Sequence, residues 1–393
     1  TGIGLMFGVG GSVVASIYLS QGKRKAANIN ITQALVFSTF IVLVMSALCF
    51  CFVGPLGCLL GSSDRLLPLV IEYMIWYLPF LVFYELLSTG MFFIRLDGSP
   101  NYAMMCNAIA AIFNIIFDYI FIFEFGWGMM GAAFATSLGT VVGGLMTVIY
   151  LTRFSRNIHL HRIKLSLKSL MLTLRNGGYM IKLGTSAFIS EASIACMMFL
   201  GNYVFIHHLG EDGVAAFSIA CYFFPIIFMV YNAIAQSAQP IISYNYGAKR
   251  ADRVKEAYFL LLKIDVGFSF VLWALVMAFP RAFAAMFTSD AALIAYTGNA
   301  LRIYLMAIMI FGIQMACQMA FTSLGKAVSS IIVAVMRKFV LLLPLIYIMP
   351  HIFTGNQAMA VYMAEPVADV LAVSFTSVLF YFQFRKALRQ IEE

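Results

Sequence analysis

The sequence predicts an all-α integral membrane protein of two pseudo-symmetric helical lobes, and three observations lead there. Hydrophobic residues make up 62% of the 393 and charged residues 11%, where soluble chains carry about 25% charged. The mean hydropathy is +0.93, so lipid rather than water suits this surface. Three segments also recur at nearly constant spacing: Gly22 aligns with Gly247 at an offset of 225, Gly98 with Gly325 at 227, and Gly131 with Met359 at 228. Internal repeats of this size mark duplicated membrane transporters.

A bilayer core of about 30 Å needs about 20 apolar residues per helix. Runs meeting this test lie at 2–21, 33–60, 68–94, 101–123, 128–151, 180–207, 213–241, 257–280, 293–321, 328–352 and 357–384, giving eleven spans. They are too long for the roughly 10-residue alternating strands of a membrane barrel, so helices are expected. The most prominent polar break is Gln236–Glu256, QSAQPIISYNYGAKRADRVKE, with a looser counterpart around Gly22 and Lys23, Arg24 and Lys25.

The basic residues orient the spans. Alternate loops and the tail hold nineteen of the 25 Lys and Arg, while the opposite loops hold only Arg65 and Arg281. The positive-inside rule places the first set and the C-terminus in the cytoplasm, in the cell's inner (plasma) membrane. Eleven spans would then put Thr1 outside, and the second half opens on a span, 180–207, with no counterpart ahead of residue 1. A first helix preceding Thr1 is therefore expected, giving lobes of six spans each. The lobes are set at 1–151 and 180–393, joined by a basic linker at 152–179 that could lie along the membrane as an amphipathic helix.

The net charge of +8 does not indicate nucleic acid, because a cytoplasmic linker collects basic residues anyway. Cys49, Cys51, Cys58, Cys106, Cys196, Cys221 and Cys317 lie mostly within apolar runs without zinc spacing and read as buried, reduced packing residues. His159, His161, His207, His208 and His351 read as solvated. A lipid-modifying enzyme would need clustered acids or a His/Glu zinc set, and a channel a filter-like loop; neither is present, so no enzyme is expected.

Carboxylates inside hydrocarbon are costly unless protonated, paired or metal-bound, which makes each a functional candidate. Asp118 sits well inside its span, with Asn114 four residues earlier on the same face and Thr136 on the next span. Carboxylate, amide oxygen and hydroxyl form an oxygen set suited to Na⁺. The same carboxyl, desolvated, could instead carry a proton. The aligned position in the second half is Pro344, so the fold does not require the acid; the alternative is a helix-tying bond to Asn114. Glu191, in FISEASIA, is a candidate for coupling or substrate contact, and Glu85, Gln314 and Gln318 are candidates to line a substrate cavity. Glu72, Glu124, Asp265 and Arg302 are read as near span ends, and Asp369 as a partner for Arg337 or Lys338. Pro225, Pro240, Pro344 and Pro366 could serve as bending points. The 37 Phe, 24 Met and 19 Tyr suit a wide cavity for aromatic cations.

Several stretches together resemble the multidrug and toxin extrusion (MATE) family of the flippase-like superfamily. These are AQSAQPIISYNYGAKRADRVKEA, NAIAAIFNIIFDYIFIFEFGWGMMGAAFATSLG, GTSAFISEASIA and MAEPVADVLA. The resemblance covers essentially the whole chain, from the family's second helix onward. It implies two six-helix lobes around a central cavity, and a cation site in the first lobe matching Asn114, Asp118 and Thr136. The family usually has Pro after this Asp, where the chain has Tyr119. The acid that some branches carry on the tenth helix is replaced by Gln314 and Gln318. The resemblance implies a monomeric antiporter, without cofactor, that exports organic cations in exchange for Na⁺ or H⁺. A lipid-linked oligosaccharide flippase is the alternative.

Overall fold

The computed structural model describes the backbone of residues 1–60, 62, 65–163, 166–208, 210–353 and 355–392, and the side chains of these except 168, 197–222 and 358. Helix makes up 88% of the chain, and no strand occurs among the described residues. Contacts divide the chain into two compact units, Thr1–Gly184 and Thr185–Glu393.

The first unit contains α1 (Gly2–Ser20), α2 (Arg24–Cys51), α3 (Val53–Leu59), α4 (Leu67–Tyr77), α5 (Leu81–Leu96), α6 (Pro100–Tyr119), α7 (Gly128–Ile149) and the start of α8 (Leu167–His208). The second contains the rest of α8, then α9 (Gly210–Gly247), α10 (Ala251–Ala278), α11 (Pro280–Ala285), α12 (Ala291–Tyr304), α13 (Ile308–Ser323), α14 (Ala327–Val335), α15 (Leu343–Ile352) and α16 (Gln357–Glu392). Among the described residues nine helical runs are long and apolar enough to cross a membrane, and the bent pair α12–α13 makes ten. The remaining expected span, 180–207, is helical within α8, but its side chains from 197 onward lie outside the described residues.

Lipid is as apolar as leucine, so helices in it associate by close packing rather than by expelling water. Gly139 of α7 shows this: a Cβ there would sit 2.5 Å from the Ala110 carbonyl oxygen of α6. In the second unit a Cβ on Gly312 of α13 would meet the Asp265 carbonyl oxygen of α10 at 2.5 Å. Bulk then fills the layers between. Phe7, Phe93 and Cys106 are buried in the first core, and Tyr231, Phe311 and Tyr362 in one core of the second.

The turns correct the spacing of the repeat. Gly22 has φ of +74° and Gly98 +88°; Gly325 has +70°, but Gly247 is not in this region, and Lys249 at +57° takes its place. The backbone bonds agree, because Lys23 N donates to Tyr18 O and Arg250 N to Asn245 O, both 227 residues apart. Ser99 N to Ile94 O and Lys326 N to Phe321 O keep the same offset. The helix-ending left-handed residue of the second break is thus a lysine, and the offset of 225 gives way to 227.

Pro344 stands in the first turn of α15, just after the π-helical segment Met336–Leu342. Pro225 and Pro240 lie inside α9 and Pro366 inside α16 without ending them. Among the described residues one candidate span is bent, by 47° between Tyr304 and Ile308, and that break holds neither proline nor glycine. After Tyr119, in the position where the family carries proline, the helix widens into a π-helical turn over Ile120–Glu124.

The expected amphipathic linker is not a separate helix. Residues 156–158 are held by Asp97, whose carboxylate accepts from the backbone N–H groups of Arg156, Asn157 and Ile158 at 2.9, 2.7 and 3.1 Å. α8 starts at Leu167, within the expected linker, and Thr173 on it accepts from Gln33 of α2. The cysteines are only partly as expected. Cys106 and Cys317 are buried, but Cys51, Cys58 and Cys196 are exposed and Cys49 is intermediate; Cys221 has no described side chain.

Candidate functional site

The close contact at Gly139 brings α6 and α7 together one turn from Asn114 and Thr136. Asn114 Nδ2 donates to Thr136 Oγ1 at 3.2 Å, and that hydroxyl donates to Ala132 O at 3.0 Å. Asp118, one turn along α6, neighbours the Asn114 amide. Its Oδ1 is buried without a hydrogen-bond partner. The three residues therefore meet, and the carboxyl keeps an oxygen free for a proton or a cation.

Glu85 is enclosed within the first unit. It is 2% exposed on α5, its Oε1 accepts from Thr89 at 2.7 Å, and a Cβ on Gly4 of α1 would meet its Oε2 at 2.9 Å. It is packed between helices of the first unit. Glu191, on α8 in the second unit, is half-buried.

The second unit has a small cavity of about 20 Å³, room for one water, between α8, α9, α13 and a π-helical segment, Met336–Leu342. Gln314 and Gln318 line it. Gln318 Nε2 donates to Ser190 Oγ at 3.0 Å, while Gln314 is 1% exposed with both amide atoms unpartnered. Arg337 and Lys338 line the same space. Arg337 Nε donates to Asp369 at 2.6 Å and Nη2 to Glu365 at 2.8 Å; Lys338 Nζ donates to Glu365 at 3.2 Å. The pairing of Asp369 with Arg337 matches the sequence expectation, and Glu365 completes a quartet that the expectation lacked.

A family model described as MatE matches residues 1–120 and 187–348. The chain belongs to the MatE family. A FAD transporter of Shewanella oneidensis is 26% identical over 355 residues, 87% of this chain and 75% of the relative. The multidrug export protein MepA of Staphylococcus aureus is 22% identical over 356 residues, 90% and 76% respectively. A crystal structure of MATE in the bent conformation matches with a TM-score of 0.88 at 21% identity, covering 100% of this chain and 86% of that one. A MOP-superfamily transporter from Pyrococcus furiosus, described as having a binding pocket of reversed polarity, gives 0.88 at 21% over 100% and 85%. At such identities the structures establish the two-lobed MatE fold alone.

As a MatE protein the chain is a multi-pass membrane transporter. Sequence reasoning missed one of its acids and misplaced another. Glu365 stands four residues before Asp369 on one face of α16, a spacing that would have shown it. Asp265 is not near a span end. It lies midway along α10, is 0% exposed, and neither carboxyl oxygen has a partner. The helix begins at Ala251, six residues before the apolar run that set its expected boundary.

Proposed function

We propose that this MatE protein is an antiporter of the inner membrane, C-terminus in the cytoplasm, that exports small organic molecules in exchange for Na⁺ or H⁺. One observation carries the reading: an intramembrane carboxyl, Asp118, with a buried unpartnered oxygen beside Asn114 and Thr136. A carboxyl left so in a transporter's hydrocarbon layer marks an ion pathway. A proton would reside on Oδ1. A sodium ion would take that oxygen together with the Asn114 amide oxygen and the Thr136 hydroxyl. Ion binding would stabilise one conformation and substrate the other, so that each drives out its competitor.

The aromatic and methionine content suits organic cations, and the multidrug export proteins among the relatives support export of small molecules. The relative described as a FAD transporter supports a range of substrates beyond drugs. A flippase of lipid-linked oligosaccharides would need free basic residues for pyrophosphate, whereas Arg337 and Lys338 are both engaged by carboxylates.

The test is dye efflux from vesicles under Na⁺ and pH gradients imposed separately. Efflux under one gradient and not the other names the coupling ion. Efflux indifferent to both sinks the antiporter.

A further inference from the structure

The offset of 227 holds across three helices of each unit. α2 and α10 keep it at both ends, Arg24 with Ala251 and Cys51 with Ala278. So do α5 and α13, Leu81 with Ile308 and Leu96 with Ser323, while α1 and α9 end together at Ser20 and Gly247. Each unit buries one carboxyl where these three helices meet. In the first it is Glu85 on α5, within hydrogen-bonding reach of Ser38 on α2 and against Gly4 on α1. In the second it is Asp265 on α10, whose backbone carbonyl abuts Gly312 of α13 and whose carboxyl acts on the Tyr231 phenol of α9. The offset pairs Ser38 with Asp265, Glu85 with Gly312 and Gly4 with Tyr231.

The acid has changed helices and kept its place. Duplication alone would leave the same residue at the same position, and packing alone would leave no acid, since a carboxyl is costly in hydrocarbon. A carboxyl held at one junction from two different positions marks a use of the group itself. The surroundings of Asp265 define that use. Ser269 Oγ donates to the Asp265 carbonyl oxygen at 2.7 Å, so the Tyr231 hydroxyl, 2.6 Å away, donates to Ser269, as does Gly312 N–H at 3.1 Å. Both hydroxyl protons are spent, Ser269 Oγ has no lone pair left for a cation, and both Asp265 carboxyl oxygens are buried without a partner. Nor does a cation face the carboxyl. α13 has no charged side chain, and its Cys317 is bonded to Tyr258. Asp369 of α16 acts on the same Tyr231 phenol but is held by Arg337. Arg302 of α12 bonds Met277 O at the far end of α10, and Arg281 of α11 lies against Gly298.

We propose that Asp265 is a proton-binding site of the second unit, the counterpart in place of Glu85 in the first. Neutral, the carboxyl fits a junction that gives it no donor. Ionised, it needs a water or hydroxyl that only a parting of α10 from α13 admits. That contact is closed by glycine, since a Cβ on Gly312 would meet Asp265 O and Ser269 Oγ, each at 2.5 Å. Gly312 stands just inside α13, after the 47° bend from α12. Loss of the proton is thereby coupled to the packing of the bent helix. The proposal rests on the reading of the chain as an ion-driven exporter, and gives it a second site that takes H⁺ whichever ion Asp118 binds.

The test uses the full chain in lipid nanodiscs, read by infrared difference spectroscopy against pH. The carbonyl band of a neutral carboxyl, assigned to Asp265 by its loss in Asp265→Asn, is expected at neutral pH. It should fade reversibly as the solution is made alkaline and ignore Na⁺ added at constant pH. A band absent at every pH, one that never fades, or one removed by Na⁺ overturns the site. Where Asp265→Asn does not fold, Asp265→Glu, which keeps the acid and shifts its band, makes the assignment. In vesicles, a trapped pH-sensitive dye counts the protons exchanged per rhodamine 123 exported. Asp265→Asn is expected to lower that count by one, or to stop exchange until Asp265→Glu restores it; an unchanged count overturns the proposal. The two readings fail separately. A reversibly titrating Asp265 in a chain whose efflux ignores both gradients would defeat the exporter alone. Gradient-driven efflux with the same proton count in Asp265→Asn would defeat the site alone.

Discussion

Arg337 and Asp369 meet at 2.6 Å through Nε and Oδ1, and the same guanidinium reaches Glu365 at 2.8 Å through Nη2. One cation thus holds two carboxylates four residues apart on α16, away from water. Buried charges survive such a setting only as a closed set. Arg337→Met should cost about 3–5 kcal/mol, because it strands two acids on a single lysine. Adding Glu365→Gln and Asp369→Asn should recover part of that loss. Unfolding of the purified protein in detergent measures both, and a single variant as stable as the parent would show that the quartet is not closed.

Asp118→Asn should abolish ion-driven efflux while leaving the protein folded. The amide keeps the shape and can still contact Asn114, but it can neither carry a proton nor neutralise Na⁺. Size-exclusion profile and thermal unfolding report the fold, and vesicle efflux the function. Efflux at the parent's rate would remove Asp118 from the coupling step.

The geometry of that site depends on a residue carrying no chemistry. Gly139→Ala would press a methyl against the Ala110 carbonyl at 2.5 Å, backbone that cannot rotate away. Parting α6 from α7 should cost about 1–3 kcal/mol. It should also weaken ion coupling, since Thr136 lies one turn from the contact. Efflux would be assayed at saturating substrate, with unfolding in parallel; unchanged values in both would mean that the helices have slack.

What the sequence made legible, and what it hid, follows from how each signal is written. Asp118, Asn114 and Thr136 stood out because polar groups at helical spacing inside apolar runs have few structural explanations. Gln314 and Gln318 could be placed at a cavity by their departure from an acidic pattern. Glu365 is legible only through its four-residue spacing to Asp369 on α16, because the surrounding MAEPVADVLA marks the family without showing which basic side chains face that acid. Asp265 was misplaced because an apolar run locates the lipid-compatible part of a helix, not its first turn. The bend after Tyr304 left no trace, since the chain breaks there without proline or glycine.

The repeat offers a sharper case. Gly247 looked like the counterpart of Gly22, but Lys249 occupies the left-handed position, at φ +57°. A side chain in that region costs about 1–2 kcal/mol that glycine avoids. Lys249→Gly should therefore stabilise the protein by about 1 kcal/mol, and Gly22→Ala destabilise it by a similar amount. Paired thermal unfolding would check this. A loss of stability in Lys249→Gly would mean that the lysine side chain contributes more than the turn costs.

Asp265 gives the strongest contrast between a group's cost and its use. It is fully buried on α10, both carboxyl oxygens are unpartnered, and neighbouring groups do not serve it: the Tyr231 hydroxyl is taken by Ser269 at 2.6 Å, and Ser269 bonds the Asp265 backbone carbonyl at 2.7 Å. An ionised carboxylate without donors in such a place is far costlier than a neutral group of equal size. If the residue is only tolerated, Asp265→Asn should be neutral and Asp265→Leu stabilising by about 1–3 kcal/mol, with efflux intact, since deleting an unsatisfied polar group removes its desolvation penalty. Unfolding of the two variants, read beside their efflux, separates tolerance from use. Higher stability with efflux lost would mean that the protein retains this acid for transport, at the expense of its own stability.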